Sequence, residues 1–153
     1  GDGPELKQIR QLARPNVQVL GPQSDRAVEQ YMAKARAFVY AACEDFGIAL
    51  VEAQACGTPV IAYGGGGALE TVRDIRQFPK IGTGVFFSEQ KPEALIEAVE
   101  PFAELQTQFN LENSRLQAAK FAPEIFAKSY LEFLESCFQE FSAGNFGAKL
   151  RYS

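Results

Sequence analysis

The amino-acid sequence predicts an α/β fold, a parallel sheet with helices on both faces, and three observations predict it. Short apolar runs at Ala37 to Tyr40, Pro59 to Tyr63 and Gly84 to Phe87 read as buried strands. Segments of helical spacing alternate with them, so that strand, loop and helix return about every 20 residues, the rhythm of parallel strands joined by crossover helices. With 153 residues, 46% of them hydrophobic, the chain has material for one domain with a real core and too little for two.

The elements follow in order. Pro4 suits a first helical turn, and Leu6, Ile9 and Leu12 recur at helical spacing behind it. Val17, Val19 and Leu20 are expected to form a short strand ending at Gly21-Pro22, after which Ser24 can cap a helix from Asp25 towards Lys34. From Phe46 to Cys56 the pattern Ile48, Leu50, Val51, Ala55 is helical, and Gly57 is placed to end it. The glycine run 64 to 67 leads to a short helix around Leu69 to Asp74, and Lys91 to Glu100 reads as another. Residues 101–153 show no strand pattern and read as a C-terminal helical segment whose last helix begins near Pro123. Ile125, Phe126, Tyr130, Phe133, Leu134, Phe138 and Phe141 line that helix with a wide apolar stripe, expected to cover the sheet or, in part, to dock on another domain.

Composition removes several function classes. The net charge is −4 and Lys and Arg are scattered, so no basic face is offered to a phosphate backbone and no nucleic-acid partner is expected. The chain has no histidine, which removes Ser-His-Asp and Cys-His nucleophile activation; a metal site would rest on carboxylates or thiols, and none is expected. Cys43, Cys56 and Cys137 lie outside any CxxC spacing and read as reduced thiols, with Cys56 and Cys137 as core fillers. No apolar run approaches the roughly 20 residues that cross a bilayer and no signal-like n-region opens the chain, which reads as soluble and cytoplasmic.

The stretch from Cys43 to Ala62 carries the chemistry. It places acid, glycine and a helix start directly after a strand, where a doubly wound sheet binds ligands and a helix N-terminus offers free N–H groups and partial positive charge. A diphosphate belongs there. Glu44 precedes the helix and Glu52 lies eight residues on, roughly 12 Å away at helical pitch, about the reach of a nucleotide sugar. Glu44 is placed to accept hydrogen bonds from sugar hydroxyls and Glu52 from ribose hydroxyls, with the amides of Phe46, Gly47 and Ile48 facing sugar and diphosphate between them. Taken singly, each glutamate also reads as a helix cap or a solvated side chain. The glycines 64 to 67 are a ligand cradle or a plain turn; they lack the Lys-Ser/Thr tail of a P-loop, which excludes nucleoside triphosphate hydrolysis.

Together with Phe46-Gly47 and the exit Gly57-Thr58-Pro59-Val60-Ile61, Glu44 and Glu52 resemble the E-x7-E signature of the retaining glycosyltransferases of family four, or group 1. These have the GT-B fold, whose C-terminal half is a Rossmann-like, nucleotide-sugar-binding domain, here residues 1–153. The likeness extends over roughly residues 1 to 90 through Gly1-Asp2-Gly3-Pro4, Val19-Leu20-Gly21, Tyr31 to Ala35, and Gly66, Gly67, Glu70, Thr71 and Val72. It implies that Glu44 contacts the transferred sugar in catalysis, that Glu52 holds the ribose, that Asp45 belongs to the donor-binding loop, and that Gly21, Pro22 and Asp25 lie near the base. The wording from Ala41 to Gly57 is most similar to the mannosyltransferase branch that uses GDP-mannose.

The same resemblance implies an N-terminal acceptor-binding domain, and an Arg and a Lys ahead of the Gly-x-Gly-Pro turn that neutralise the diphosphate. Neither is found in these 153 residues, so the isolated chain is expected to be an apparently N-terminally truncated, inactive half. Helix-dipole stabilisation of the diphosphate alone is worth about 0.3 to 2 kcal/mol. Transfer with retention is attributed in this family to reaction on one sugar face without a protein base, which fits a chain without histidine. Family members also work on lipid-linked acceptors at membrane surfaces, so a peripheral membrane partner is implied, although no basic amphipathic helix is evident. Three rivals stand against this reading: a nucleotide-sugar epimerase of the same fold, disfavoured by the E-x7-E spacing; a nicotinamide-binding module, disfavoured for want of a full Gly-x-Gly-x-x-Gly; and a non-catalytic scaffold binding a partner through residues 123 to 141.

Overall fold

The computed structural model describes residues 1–143. Its elements in chain order are α1 (Leu6–Leu12), α2 (Asp25–Lys34), β1 (Phe38–Tyr40), α3 (Ile48–Ala55), β2 (Val60–Tyr63), α4 (Ala68–Thr71), β3 (Gly84–Phe87), α5 (Pro92–Leu105), a 3-10 turn (Gln106–Gln108), α6 (Leu111–Ala119) and α7 (Pro123–Ser142). The strands form one parallel sheet in the order β1-β2-β3, with Phe38 opposite Val60, Tyr40 opposite Ala62, and Val60 and Tyr63 opposite Gly84 and Phe87.

Alternation along the strands sends side chains to two faces, and each face has its own core. Val60 and Ala62 pack with Met32 of α2 and Leu50 and Ala53 of α3. Ile61, Val85 and Phe87 pack on the other face with Ala98 and Phe102 of α5. Helices on both faces of a parallel sheet are what the alternating pattern predicts.

Several local expectations hold. The Ser24 side chain accepts from the Ala27 amide (3.4 Å) and opens α2. Gly57, with φ +84°, follows the last turn of α3 and donates to the Gln54 carbonyl (2.8 Å), closing the helix. Helix α5 runs past Glu100, through Pro101, to Leu105.

Other expectations are corrected. Residues 17 to 20 form no strand: Val17 donates to Arg14 in a turn, and no strand among the described residues lies alongside to supply a ladder. The face of α3 that enters the core is Leu50, Ala53 and Gln54; Ile48 is exposed and Val51 half-buried, because the core takes the i, i+3, i+4 stripe that starts at Leu50. The aromatic stripe of α7 does not cover the sheet, since α7 buries no residue among those described, α2 and α3 pack on one face and α5 packs on the other. Cys56 is half-buried against the first core, and Cys137 is half-buried on α7, so neither is a full core filler. Residues 144–153 of the C-terminal segment lie outside the described residues.

Candidate functional site

The loop between β1 and α3 carries Cys43 to Gly47 beyond the carboxyl end of β1. Gly47 sits at the N-cap of α3 with φ +79°, a left-handed conformation that any other residue would adopt only under strain. From there its carbonyl accepts from Leu50 (2.9 Å) and Val51 (3.4 Å), so the amides of Ile48 and Ala49 have no acceptor within the helix. Glu44, Asp45 and Phe46 are exposed on the approach to these amides. Glu44 also lies against the Tyr40 side chain, where its hydrogen-bonding capacity, partial burial and its negative charge push the phenol up to about 12.

The glycine run packs against this loop. The Gly67 amide donates to the Glu44 carbonyl (2.8 Å). A Cβ on Gly66 would stand 2.3 Å from the Glu44 oxygen, and one on Gly67 would stand 2.4 Å from Phe46 Cα and 2.5 Å from the carbonyl oxygens of Asp45 and Phe46. Glycine is required at both places because two backbones touch. The choice between cradle and turn is thereby refined: Gly66 and Gly67 press on the loop that carries Glu44. The Phe46 ring meets Phe121, just after α6, edge to face at 5.5 Å.

Glu52, about one turn into α3, is exposed and lines a cleft of about 720 Å³ with Asp25, Arg26, Glu29 and Met32 of α2 and with Cys56. Two carboxylates that sequence reasoning singled out, Asp25 and Glu52, thus share one wall-to-wall cleft. Gly21 and Pro22 do not line that cleft; they line a neighbouring groove of about 840 Å³ with Gly3, Tyr31 and Phe38, and Val28 and Met32 of α2 border both. Arg26 and Glu29 were not singled out from sequence. For Glu29 the helical spacing from Asp25 was the available signal, since residues one helical turn apart share a face; Arg26, next to Asp25 in the chain, had no such signal. Burial raises the Cys56 thiol, and the charges of Glu29 and Glu52 raise it further against a smaller opposing effect of Arg115, so the thiol stays protonated in this acidic cleft.

Among the described residues no three Cys, Asp or Glu side chains are grouped so that they could hold a metal ion, and no helix is long and apolar enough to cross a membrane.

Residues 1–123 match the family described as Glycosyl transferases group 1. D-inositol 3-phosphate glycosyltransferase of Acidothermus cellulolyticus is 48% identical over 50 residues, which make up 33% of this chain and 11% of that protein. Sucrose-phosphate synthase from Thermosynechococcus elongatus superposes with a TM-score of 0.73 at 25% identity, over 91% of this chain and 37% of that one. Anabaena HepE in complex with UDP gives a TM-score of 0.67 at 28% identity over 85% of this chain and 35% of that one, and its complex with UDP-glucose gives 0.60 at 29% identity. The chain therefore spans about a tenth of the curated relative's length and about a third of the solved chains, with the α/β architecture of a GT-B glycosyltransferase domain. On the match that runs from its first residue through α6, the chain belongs to the group 1 glycosyl transferases.

Proposed function

We propose that residues 1–153 are the donor-binding part of a retaining glycosyltransferase, holding a nucleotide-diphosphate sugar along the β1–α3 unit. The observation that carries this is the placement of Glu44, the open amides of α3 and Glu52 in sequence from the carboxyl end of a parallel strand, on a chain of this family. In this reading the diphosphate sits at the N-terminus of α3, held by the amides of Phe46, Gly47 and Ile48. The Glu44 carboxylate and neighbouring Asp45 accept hydrogen bonds from the sugar hydroxyls. Glu52 accepts from the ribose, and Asp25, which shares its cleft, extends that wall towards the base together with Gly21 and Pro22.

Transfer then forms a bond from an acceptor oxygen to the anomeric carbon as the bond from that carbon to the diphosphate oxygen breaks. The diphosphate leaves with the electron pair, and in this reading its departing oxygen, on the same face of the sugar as the incoming acceptor, receives the acceptor's proton. Acceptor recognition belongs to an N-terminal domain, with a lipid-linked or membrane-surface substrate as the implied class.

The wording of residues 41 to 57 supports GDP-mannose as donor. The uridine complexes of HepE support a second reading, a UDP-sugar. Calorimetric titration of the chain and of its Glu52→Ala variant with GDP, UDP, ADP and their sugars tests both. One nucleotide is expected to bind and to weaken roughly tenfold or more in the variant, the worth of a charge-assisted hydrogen bond. Equal affinity of the two forms for every nucleotide would remove Glu52 from the site.

A further inference from the structure

Gln54 is fully buried at 0% exposure on the apolar face of α3, between Leu50 and Ala53 on one side and α4 on the other. Its Nε2 donates to the Leu50 carbonyl (3.0 Å) and to the Thr71 carbonyl of α4 (3.1 Å). Two carbonyls demand the amino group between them, and that orientation leaves Oε1 buried with no partner. A buried acceptor without a donor is destabilising, and a leucine of similar volume would fill the place without it. The amide is therefore poorly explained by stability alone.

What the amide does achieve is a connection. Thr71, itself at 0% exposure, donates through Oγ1 to the Gly67 carbonyl (3.0 Å), and the Gly67 amide donates to the Glu44 carbonyl (2.8 Å). Gln117 of α6 donates to the same Thr71 carbonyl (3.3 Å) and steadies it from a third helix. One continuous chain of hydrogen bonds thus runs from the body of α3 through Thr71 and Gly67 to the backbone of Glu44. It ties the helix that carries Glu52 to the loop that carries Glu44.

We propose that Gln54 is a positioning residue of the donor site, fixing the Glu44 loop relative to α3 so that the sugar and the diphosphate are gripped in register. This rests on the donor reading above, in which Glu44 meets the sugar and the α3 amides meet the diphosphate. Gln54 touches no ligand and acts only through Thr71 and the glycine turn.

The test separates stability from recognition. Wild type, Gln54→Leu, Thr71→Val, Glu44→Gln and a control, Thr83→Val, are compared by thermal melting and by calorimetric titration with the nucleotide sugar and with the bare nucleoside diphosphate found in the panel above. Thr83 is equally buried and bonded, to the Arg73 amide (3.0 Å), but lies at the opposite end of the strands. Gln54→Leu is expected to melt at or above the wild-type temperature while binding the nucleotide sugar roughly fivefold more weakly, the equivalent of one neutral hydrogen bond, with the bare diphosphate changed less than about twofold. Thr71→Val, which keeps the proposal testable should Gln54→Leu fail to fold, is expected to show the same sugar-specific loss. Thr83→Val is expected to melt earlier with both affinities intact. Wild-type affinity of Gln54→Leu for the nucleotide sugar, or an equal loss for the bare diphosphate, overturns the proposal while Glu44→Gln still weakens sugar binding. If Glu44→Gln binds like wild type, or wild type binds no nucleotide, the donor reading itself falls and takes this proposal with it.

Discussion

Helices α3 and α7 are both rich in apolar residues at helical spacing, yet they end in opposite environments. On α3, Leu50 is 1% exposed and Ala53 fully buried, with the sheet on one side and α4 and α6 on the other. On α7, Phe126, Phe133 and Phe138 are 61% to 71% exposed, and no residue of the helix is buried. Periodicity specifies that a helix forms and which stripe is apolar. What covers the stripe depends on where the chain connection delivers the helix: α3 is a crossover between adjacent parallel strands and has to lie on the sheet, whereas α7 follows the last strand and has no such obligation.

The sharpest way to break this contrast is to delete side chain from the covered helix. Leu50→Ala is expected to lower stability by about 3 to 5 kcal/mol, since a fully enclosed leucine leaves a cavity that its neighbours cannot close. Urea unfolding followed by circular dichroism measures it. A loss under about 1 kcal/mol would mean that α3 is not held as described.

A smaller effect tests the sheet's other margin. Asp74, 2% exposed, accepts from the Arg76 amide (2.9 Å), the Arg76 guanidinium and the Phe86 amide (3.1 Å), fastening the segment after α4 to β3. Burial pushes its carboxyl up, but the hydrogen bonds from Arg76 and Phe86 and the charge of Arg76 outweigh it and hold the group below its ordinary value of 3.8. A carboxyl held low in the folded state contributes stability in full above that value and loses it as pH falls from 3.8 through the folded one. Asp74→Asn is expected to cost about 1.5 kcal/mol at neutral pH, the low end for a charged hydrogen bond because half of Arg76 is in water. The difference from wild type should shrink below pH 3.8; a gap independent of pH would assign the effect to packing instead.

The same contrast explains what was legible in the sequence. Strands at 37 to 40, 59 to 63 and 84 to 87 could be read because a buried parallel strand is a continuous apolar run between turn residues, and this signal is local. Glu44, Gly47 and Glu52 could be read because a helix start after such a strand is local too. The segment 17 to 20 has the same composition but needs a partner strand, and pairing is not a property of four residues. Gln54 was invisible for the converse reason: a polar residue in a helix reads as solvated until Thr71, 17 positions on, is brought to its amide. The contacts of Gly66 and Gly67 with Glu44 and Phe46 were equally out of reach, since a glycine run looks alike whether it faces solvent or another backbone.

The smallest expected effect concerns the uncovered helix. Phe133 is 61% exposed on α7, so Phe133→Ala removes little buried area, and alanine has the higher helix propensity by several tenths of a kcal/mol. Against that gain stands the lost contact with residues three and four positions away along the helix, worth about 0.2 to 0.5 kcal/mol. The two nearly cancel, and the urea midpoint of Phe133→Ala is expected to move by less than the equivalent of about 0.5 kcal/mol in either direction. The helix keeps its own local support in the Phe126–Tyr130 stack at 5.7 Å and the Lys128–Glu132 pair at 3.9 Å, neither of which the substitution touches. A destabilisation above about 1 kcal/mol would require Phe133 to be buried in solution. The difference between α3 and α7 would then lie in the identity of their covers rather than in the presence of one.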